Sequence, residues 1–211
     1  MSLMIDRLQI RRGQDLLVDL TARVDAGCVL TVMGASGSGK STLLSALIGA
    51  LPAGFEATGR ITLNGTDITD QPTAMRRIGL LFQDDVLFPH LSVAQNLGFG
   101  LKPGGTRAER QARIEAALDQ MGLTGLGPRD PATLSGGQRA RVALARSLLA
   151  EPLALLLDEP FSRLDTSLRG QIRQLVFEAA RNLPVILVTH DHDDARAAGG
   201  PVIDPLGRPV S

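Results

Sequence analysis

Val29-Leu30-Thr31-Val32-Met33-Gly34-Ala35-Ser36-Gly37-Ser38-Gly39-Lys40-Ser41 decides how this chain folds. A short run of apolar and β-branched residues ends in a glycine-rich stretch. Helical spacing follows, with Leu43, Leu44, Leu47 and Ile48 on one side and Pro52 as a stop. The pattern predicts a buried strand at Val29–Met33, a loop, and a helix from Ser41 to Leu51. Strand–GxxxxGK[ST]–helix is a phosphate-binding arrangement with a direct physical basis. The glycines let successive backbone N–H groups turn inward on phosphate oxygens, and the helix N-terminus adds its positive dipole end. Lys40 reaches the outer phosphates, and the Ser41 hydroxyl suits Mg²⁺. The reading is a nucleoside triphosphate site; a small-molecule kinase remains open on this loop alone. A GTPase would want Asn-Lys-x-Asp, and the nearest string, Asn64-Gly65-Thr66-Asp67, lacks the lysine.

Outward from the loop, Leu8 and Ile10, then Leu16, Val18 and Leu20, alternate as antiparallel strands do. Further strands are predicted at Ile61–Leu63, Ile78–Phe82, Leu153–Leu157 and Val185–Val188. A helix is expected from about Thr166 to Arg181. Between about 84 and 150 strand character fades, and Arg107–Met121 reads as an amphipathic helix between Gly-Pro turns. The expectation is an α/β domain spanning 1–211, with a mostly parallel sheet, an N-terminal antiparallel β subdomain and an inserted α-helical subdomain.

Composition narrows the function. The 211 residues carry 22 basic and 22 acidic side chains, a balance that argues against a broad nucleic-acid-binding face. No apolar run approaches the ~18 residues of a membrane span. The N-terminus lacks the pattern of a secretion signal. One cysteine, Cys28, fits a reducing compartment. The expected location is therefore cytoplasmic, with any membrane role borrowed from a partner. Only Lys40 and Lys102 are lysines. Retention of a compact ammonium at 40, in a chain that otherwise uses arginine, suits a narrow site.

A second glycine turn, Leu134-Ser135-Gly136-Gly137-Gln138, precedes a helix expected over Gln138–Ala150. Two anion-seeking helix ends about a hundred residues apart make sense in a head-to-tail pair, where one chain closes on the nucleotide held by another.

With these motifs the sequence resembles the ATP-binding cassette ATPases of ABC transporters, over nearly its whole length and in the family's motif order. The resemblance implies a P-loop NTPase core. It equates Gly34–Thr42 with the Walker A loop, contributing Gly34, Ala35, Ser36, Gly37, Ser38, Gly39, Lys40, Ser41 and Thr42 to nucleotide binding. Gln83 becomes the Q-loop glutamine, touching Mg²⁺ and the attacking water and linking to the membrane partner. Ser135, Gly136, Gly137 and Gln138 become the signature loop. Leu153–Pro160 becomes Walker B, and Ser162-Arg163-Leu164-Asp165 the D-loop. His190 becomes the switch histidine.

Several of these roles also stand on the residues. Asp158 ends an apolar strand, where a carboxylate needs a cation such as Mg²⁺. Glu159, pointing elsewhere, is placed to take a proton from the water that attacks the γ-phosphate. The run His190-Asp191-His192-Asp193-Asp194 reads as a solvated helix start with acids at its positive end. Two departures from the family stand out. There is no Trp or Tyr, and Arg12 occupies the place of the usual adenine-stacking aromatic. Arg163, where a small residue is common, is expected to face a second copy.

The stretch Val86–Leu97 is similar to that of bacterial importers for small polar solutes, and its apolar residues are expected to serve either a permease groove or the helical core. The resemblance thus implies an ATPase with ATP and Mg²⁺ as cofactors, a second copy of itself, an integral membrane permease and a periplasmic or extracellular solute-binding protein as partners. It implies no nucleic acid partner, no appended regulatory domain, and a seat on the inner face of the cell membrane. An efflux subunit or a soluble non-transport cassette ATPase are the rival readings.

Overall fold

The computed structural model describes residues 1–84 and 86–210, apart from the side chains of Thr166 and Ser167. The first eleven-residue strand, β1 (Ser2–Arg12), turns at Gly13 and pairs antiparallel with β2 (Asp15–Asp25). The register shifts between Ile5 and Leu8, where Arg7 takes φ +48, a bulge that bends the ribbon. The alternation read from the sequence is realised: Leu8, Ile10, Val18 and Leu20 are all buried. β3 (Val29–Met33) is buried at every position, and α1 (Lys40–Leu47) follows the loop. This helix stops short of the expected Leu51. Gly49 takes φ +73 and donates its N–H to the Ala46 carbonyl, which closes the last turn before Pro52 can act.

β4 (Glu56–Leu63) pairs with the other edge of β1 and with the short β5 (Thr66–Asp67), giving the sheet order β2-β1-β4-β5. β4 begins five residues before the predicted Ile61, because ladder pairing with β1 recruits the polar Glu56–Arg60 that hydropathy passes over. A single turn, α2 (Thr73–Arg76), leads to β6 (Ile78–Leu81). The helical stretch holds α3 (Val93–Gly100), α4 (Arg107–Gln120) and α5 (Gly136–Leu149). Then come β7 (Ala154–Asp158), α6 (Thr166–Ala179), β8 (Val185–Thr189), α7 (His192–Ala198) and β9 (Val202–Ile203). The second sheet has the order β6-β7-β8-β3-β9, and β7, β8, β3 and β9 run parallel. This is a mixed α/β architecture with a mostly parallel sheet and a separate antiparallel sheet, as expected from the sequence.

The chain forms two compact units. One comprises Met1–Leu80, Leu153–Glu159 and Ala179–Ser211; the other comprises Leu81–Pro152 and Pro160–Glu178. In the first, the inner face of the antiparallel sheet (Leu3, Ile5, Ile10, Val18), α1 (Leu43, Leu44, Leu47) and the parallel strands (Val32, Leu156, Ile186) share one apolar cluster. Each such fully buried leucine contributes roughly 1.5–3 kcal/mol of transfer free energy. In the second, Val93 and Leu97 of α3, Ile114 and Leu118 of α4 and Val142 and Leu144 of α5 are buried. Among the described residues no helix is long and apolar enough to cross a membrane.

Candidate functional site

β3 and β7 both lie beside β8 in register, Met33 against Thr189 and Asp158 against Val188. Parallel strands therefore deliver Gly34, Glu159 and His190 to one carboxyl edge of the sheet, where open α/β folds bind their ligands.

The loop after β3 is built for an anion. α1 starts at Gly39 with no side-chain cap and no acidic residue in its first turn. By contrast α3, α4 and α5 carry full capping boxes, and Asp191 caps α7. Gly39 thus offers the first N–H groups of α1 no side-chain acceptor. Ser38 Oγ is buried and lacks a hydrogen-bond partner among the described residues, a hydroxyl whose desolvation calls for a polar ligand. Gly39 has φ +99, and a Cβ there would stand 2.9 Å from the Leu17 carbonyl oxygen of β2, so only glycine fits. Lys40, 6% exposed, donates from Nζ to the carbonyls of Gly34 (2.7 Å) and Ala35 (2.9 Å), which stretches the ammonium across the loop.

Asp158 and Glu159 close the other side. Burial first, and the neighbouring Glu159 charge second, push the Asp158 carboxyl above its usual range; the Lys40 charge and a hydrogen bond from Ser41 oppose the shift. A half-buried carboxylate joined to a hydroxyl is a donor set that suits a hard, oxygen-seeking cation. Glu159 adopts φ +46, the left-handed region that costs an L-residue about 1 kcal/mol or more. Its N–H donates to the Val188 carbonyl at 2.9 Å. This turn brings Oε2 to 3.1 Å from His190 Nδ1, just past the end of β8. Nδ1 is the donor whether the ring carries one proton there or two.

Arg12 ends β1 opposite Asp15 in the hairpin. Its guanidinium stands 5.5 Å from the Phe55 ring centroid. The first unit therefore brings together the phosphate loop, Asp158, Glu159 and His190. Gln83, Ser135, Gly136, Gly137, Gln138 and Asp165 belong to the second.

In the second unit Ser135 is the N-cap of α5. Its Oγ accepts from Gln138 N (3.2 Å), and its N donates to Gln138 Oε1 (2.9 Å). The glycines therefore open the helix rather than precede it, so α5 starts at Gly136 instead of the expected Gln138. The Ser-x-x-Gln spacing held that signal. A Cβ on Gly137 would collide with Leu168 Cδ2, whereas on Gly136 it would meet nothing nearer than Arg139 at 3.8 Å. Gln83 is exposed in the bend after β6. Asp165 Oδ1 accepts from Leu168 N at 3.0 Å, at the start of α6.

Arg163 forms an ion pair with Asp84 of its own chain and stays 66% exposed. The acidic run after His190, expected to be solvated, is only partly so: Asp194 is buried, with Thr189 Oγ1 donating to it at 3.4 Å. Leu87, Phe88 and Leu91 are half-buried. Asn96, fully buried, holds their loop by accepting from Phe88 N (2.9 Å) and donating to the Phe88, Leu91 and Ser92 carbonyls (3.1 Å each). Val86 and Phe99 stay exposed, and Phe99 meets Phe88 edge-on at 4.6 Å.

Sequence reasoning missed Arg76. It is 5% exposed and donates to the carbonyls of Ala46, Leu47, Thr69 and Gln71, so it ties down the C-terminal end of the helix that Lys40 begins. In sequence it was one arginine of the pair Arg76-Arg77, with no pattern to mark it.

The family model for ABC transporters matches residues 17–162. The uncharacterized ABC transporter ATP-binding protein YnjD of Escherichia coli K12 is 53% identical over 184 residues, covering 86% of this chain and 85% of the relative. The thiamine import ATP-binding protein ThiQ of Cereibacter sphaeroides is 46% identical over 199 residues, 91% of this chain and 83% of that protein. The Fe(3+) ions import ATP-binding protein FbpC 1 of Rhizobium meliloti is 42% identical over 190 residues, 88% of this chain and 52% of that longer protein. With its phosphate loop, carboxylate pair and histidine set on one sheet edge, the chain belongs to the ABC transporter family as an ATP-binding subunit with ATPase activity.

Proposed function

We propose that the chain powers solute import, working as two copies that hold ATP and Mg²⁺ between them and drive a separate membrane permease. The observation that carries the reading is the Glu159–His190 pair at 3.1 Å, beside a cation-suited Asp158–Ser41 pair and the buried Lys40. Backbone N–H groups of residues 34–42 and Lys40 bind the triphosphate. Ser41 and Asp158 hold Mg²⁺, with Gln83 as a further ligand. The ion, when bound, neutralises phosphate charge. Glu159 takes the proton of the attacking water, and His190 keeps its carboxylate aimed. Ser135, Gly136, Gly137, Gln138 and Asp165 serve the nucleotide of the second copy, and Arg12 lies at the base.

Import is supported by the names of the thiamine and Fe(3+) relatives. The exposed Val86 and Phe99, with the Asn96-braced loop between them in sequence, supply an apolar surface for the permease. The chain then works in the cytoplasm, on the inner face of the membrane, in a complex that includes a solute-binding protein outside the membrane and no nucleic acid. Glu159→Gln should bind ATP, dimerise and lose turnover by roughly 10²–10⁴-fold, the usual range for a lost general base. Lys40→Ala should lose nucleotide affinity. Full turnover in Glu159→Gln, or a Glu159→Gln protein that stays monomeric with ATP and Mg²⁺, would refute the scheme. Purification from the native membrane should bring down a permease.

A further inference from the structure

Two loops of the second unit meet through a charge pair. Arg163 binds Asp84, and both line one cavity of about 460 Å³ together with Gln83 and Arg139. Each loop is pinned elsewhere. Phe161 is fully buried and packs edge-on against Phe177 at 6.2 Å. Leu164 N donates back to Phe161 O, and Asp165 caps the start of α6. That leaves Arg163 projecting from a fixed base. On the other side, β6 fixes the chain up to Leu81, and Arg146 donates to the Val86 carbonyl at 3.0 Å. Gln83 and Asp84 lie between these anchors, exposed and outside the strand ladder.

We propose that Arg163 is a positioning residue for Gln83: through Asp84 it ties the Gln83 bend to the 160–165 loop. The inference rests on the reading above, in which Gln83 serves Mg²⁺ and water while the loop carrying Asp165 faces a second copy. A change at the 160–165 loop then reaches Gln83 without crossing the core. Both side chains are more than half exposed (66% and 60%), so the link is weak. A pair of that kind holds geometry by no more than about fivefold.

The test is the Mg²⁺-dependent ATPase of the full chain as wild type, Asp84→Asn, Arg163→Gln and the charge-reversed double Asp84→Arg/Arg163→Asp. Each single variant should lower kcat about three- to fivefold and raise the Mg²⁺ concentration for half-maximal rate. KM for ATP should stay within about twofold, since the residues binding the triphosphate are untouched. The double should regain most of the loss, which a merely structural role would not give. Single variants with wild-type kcat and Mg²⁺ response, or a double no better than the singles, would overturn the proposal. So would loss of ATP-driven dimerisation in Arg163→Gln but not in Asp84→Asn, because Arg163 would then serve the second copy. Failure of the underlying reading looks different: Glu159→Gln would then turn over normally, whereas failure of the pair alone leaves Glu159→Gln dead.

Discussion

Replacing Arg76 with methionine should unlatch the helix that carries the phosphate loop. Methionine keeps much of the aliphatic stem, so little volume is lost. What disappears is a set of charge-assisted bonds: Nε to the Gln71 carbonyl at 2.7 Å, Nη1 to the Ala46 and Leu47 carbonyls at 2.9 and 3.0 Å, and Nη2 to the Thr69 carbonyl. The Ala46 and Leu47 acceptors belong to the last turn of α1, which has no basic residue of its own. Arg76 therefore supplies both the hydrogen bonds and the positive charge that a helix C-terminus favours. The Ala46 carbonyl keeps the Gly49 N–H at 3.1 Å, so the loss falls on the Leu47 carbonyl. Leaving a buried carbonyl unsatisfied costs about 1–3 kcal/mol. Burial lowers the arginine's own pKa, so part of this is returned when the guanidinium goes. A net loss of about 1–2 kcal/mol remains, equivalent to a fall in Tm of roughly 2–8 °C for a chain of this size. With no Trp or Tyr in the sequence, unfolding is followed by far-ultraviolet circular dichroism, without nucleotide. Arg76→Lys should fall between, keeping the charge but not the fork. An Arg76→Met protein melting within a degree of wild type would show that the carbonyls find other donors, and the anchoring argument would fail.

Gly137→Ala should destabilise by no more than about 1 kcal/mol, because the clash is with the movable end of the half-buried Leu168 side chain, and Leu168→Ala in the same chain should recover part of it. Gly136→Ala meets open space and should leave the melting temperature unchanged, so any loss of ATPase in that variant reports on the nucleotide rather than the fold. Lys102, and then Arg113 at 2.8 Å, hold the Glu151 carboxyl below its usual range. The sign follows: the folded pKa is depressed, so the stabilisation is present above the unfolded value near 4.3 and fades as pH falls through the folded one. Glu151→Gln should therefore be less stable than wild type at neutral pH, and the two should converge in acid; a gap that widens on acidification would contradict the pairing.

The phosphate loop, the strand ends and the signature turn were legible because their chemistry is local. A glycine run between a strand and a helix, or a carboxylate closing an apolar strand, needs no distant partner to be recognised. Helix and strand limits were less legible. The end of α1 is set by the backbone angle of Gly49, and the start of β4 by pairing with a strand more than forty residues away in sequence. The left-handed turn at Glu159 left no trace in residue type. Arg76, Asn96 and the Asp84–Arg163 pair were invisible for one reason: each draws meaning from carbonyls or charges that only folding brings near. Asp194 shows the same limit, an acid read as solvated that the sheet edge encloses.

The backbone at Glu159 has a cost for the molecule as a whole. A glycine would sit in that bend with less effort, so the chain tolerates a slightly less comfortable native state in order to keep a carboxylate there. Because the Glu159 N–H donates to the Val188 carbonyl, the aim of the side chain depends on β8 staying seated. Any motion that shifts that strand re-aims the carboxylate and the imidazole together, so the two groups behave as one movable part.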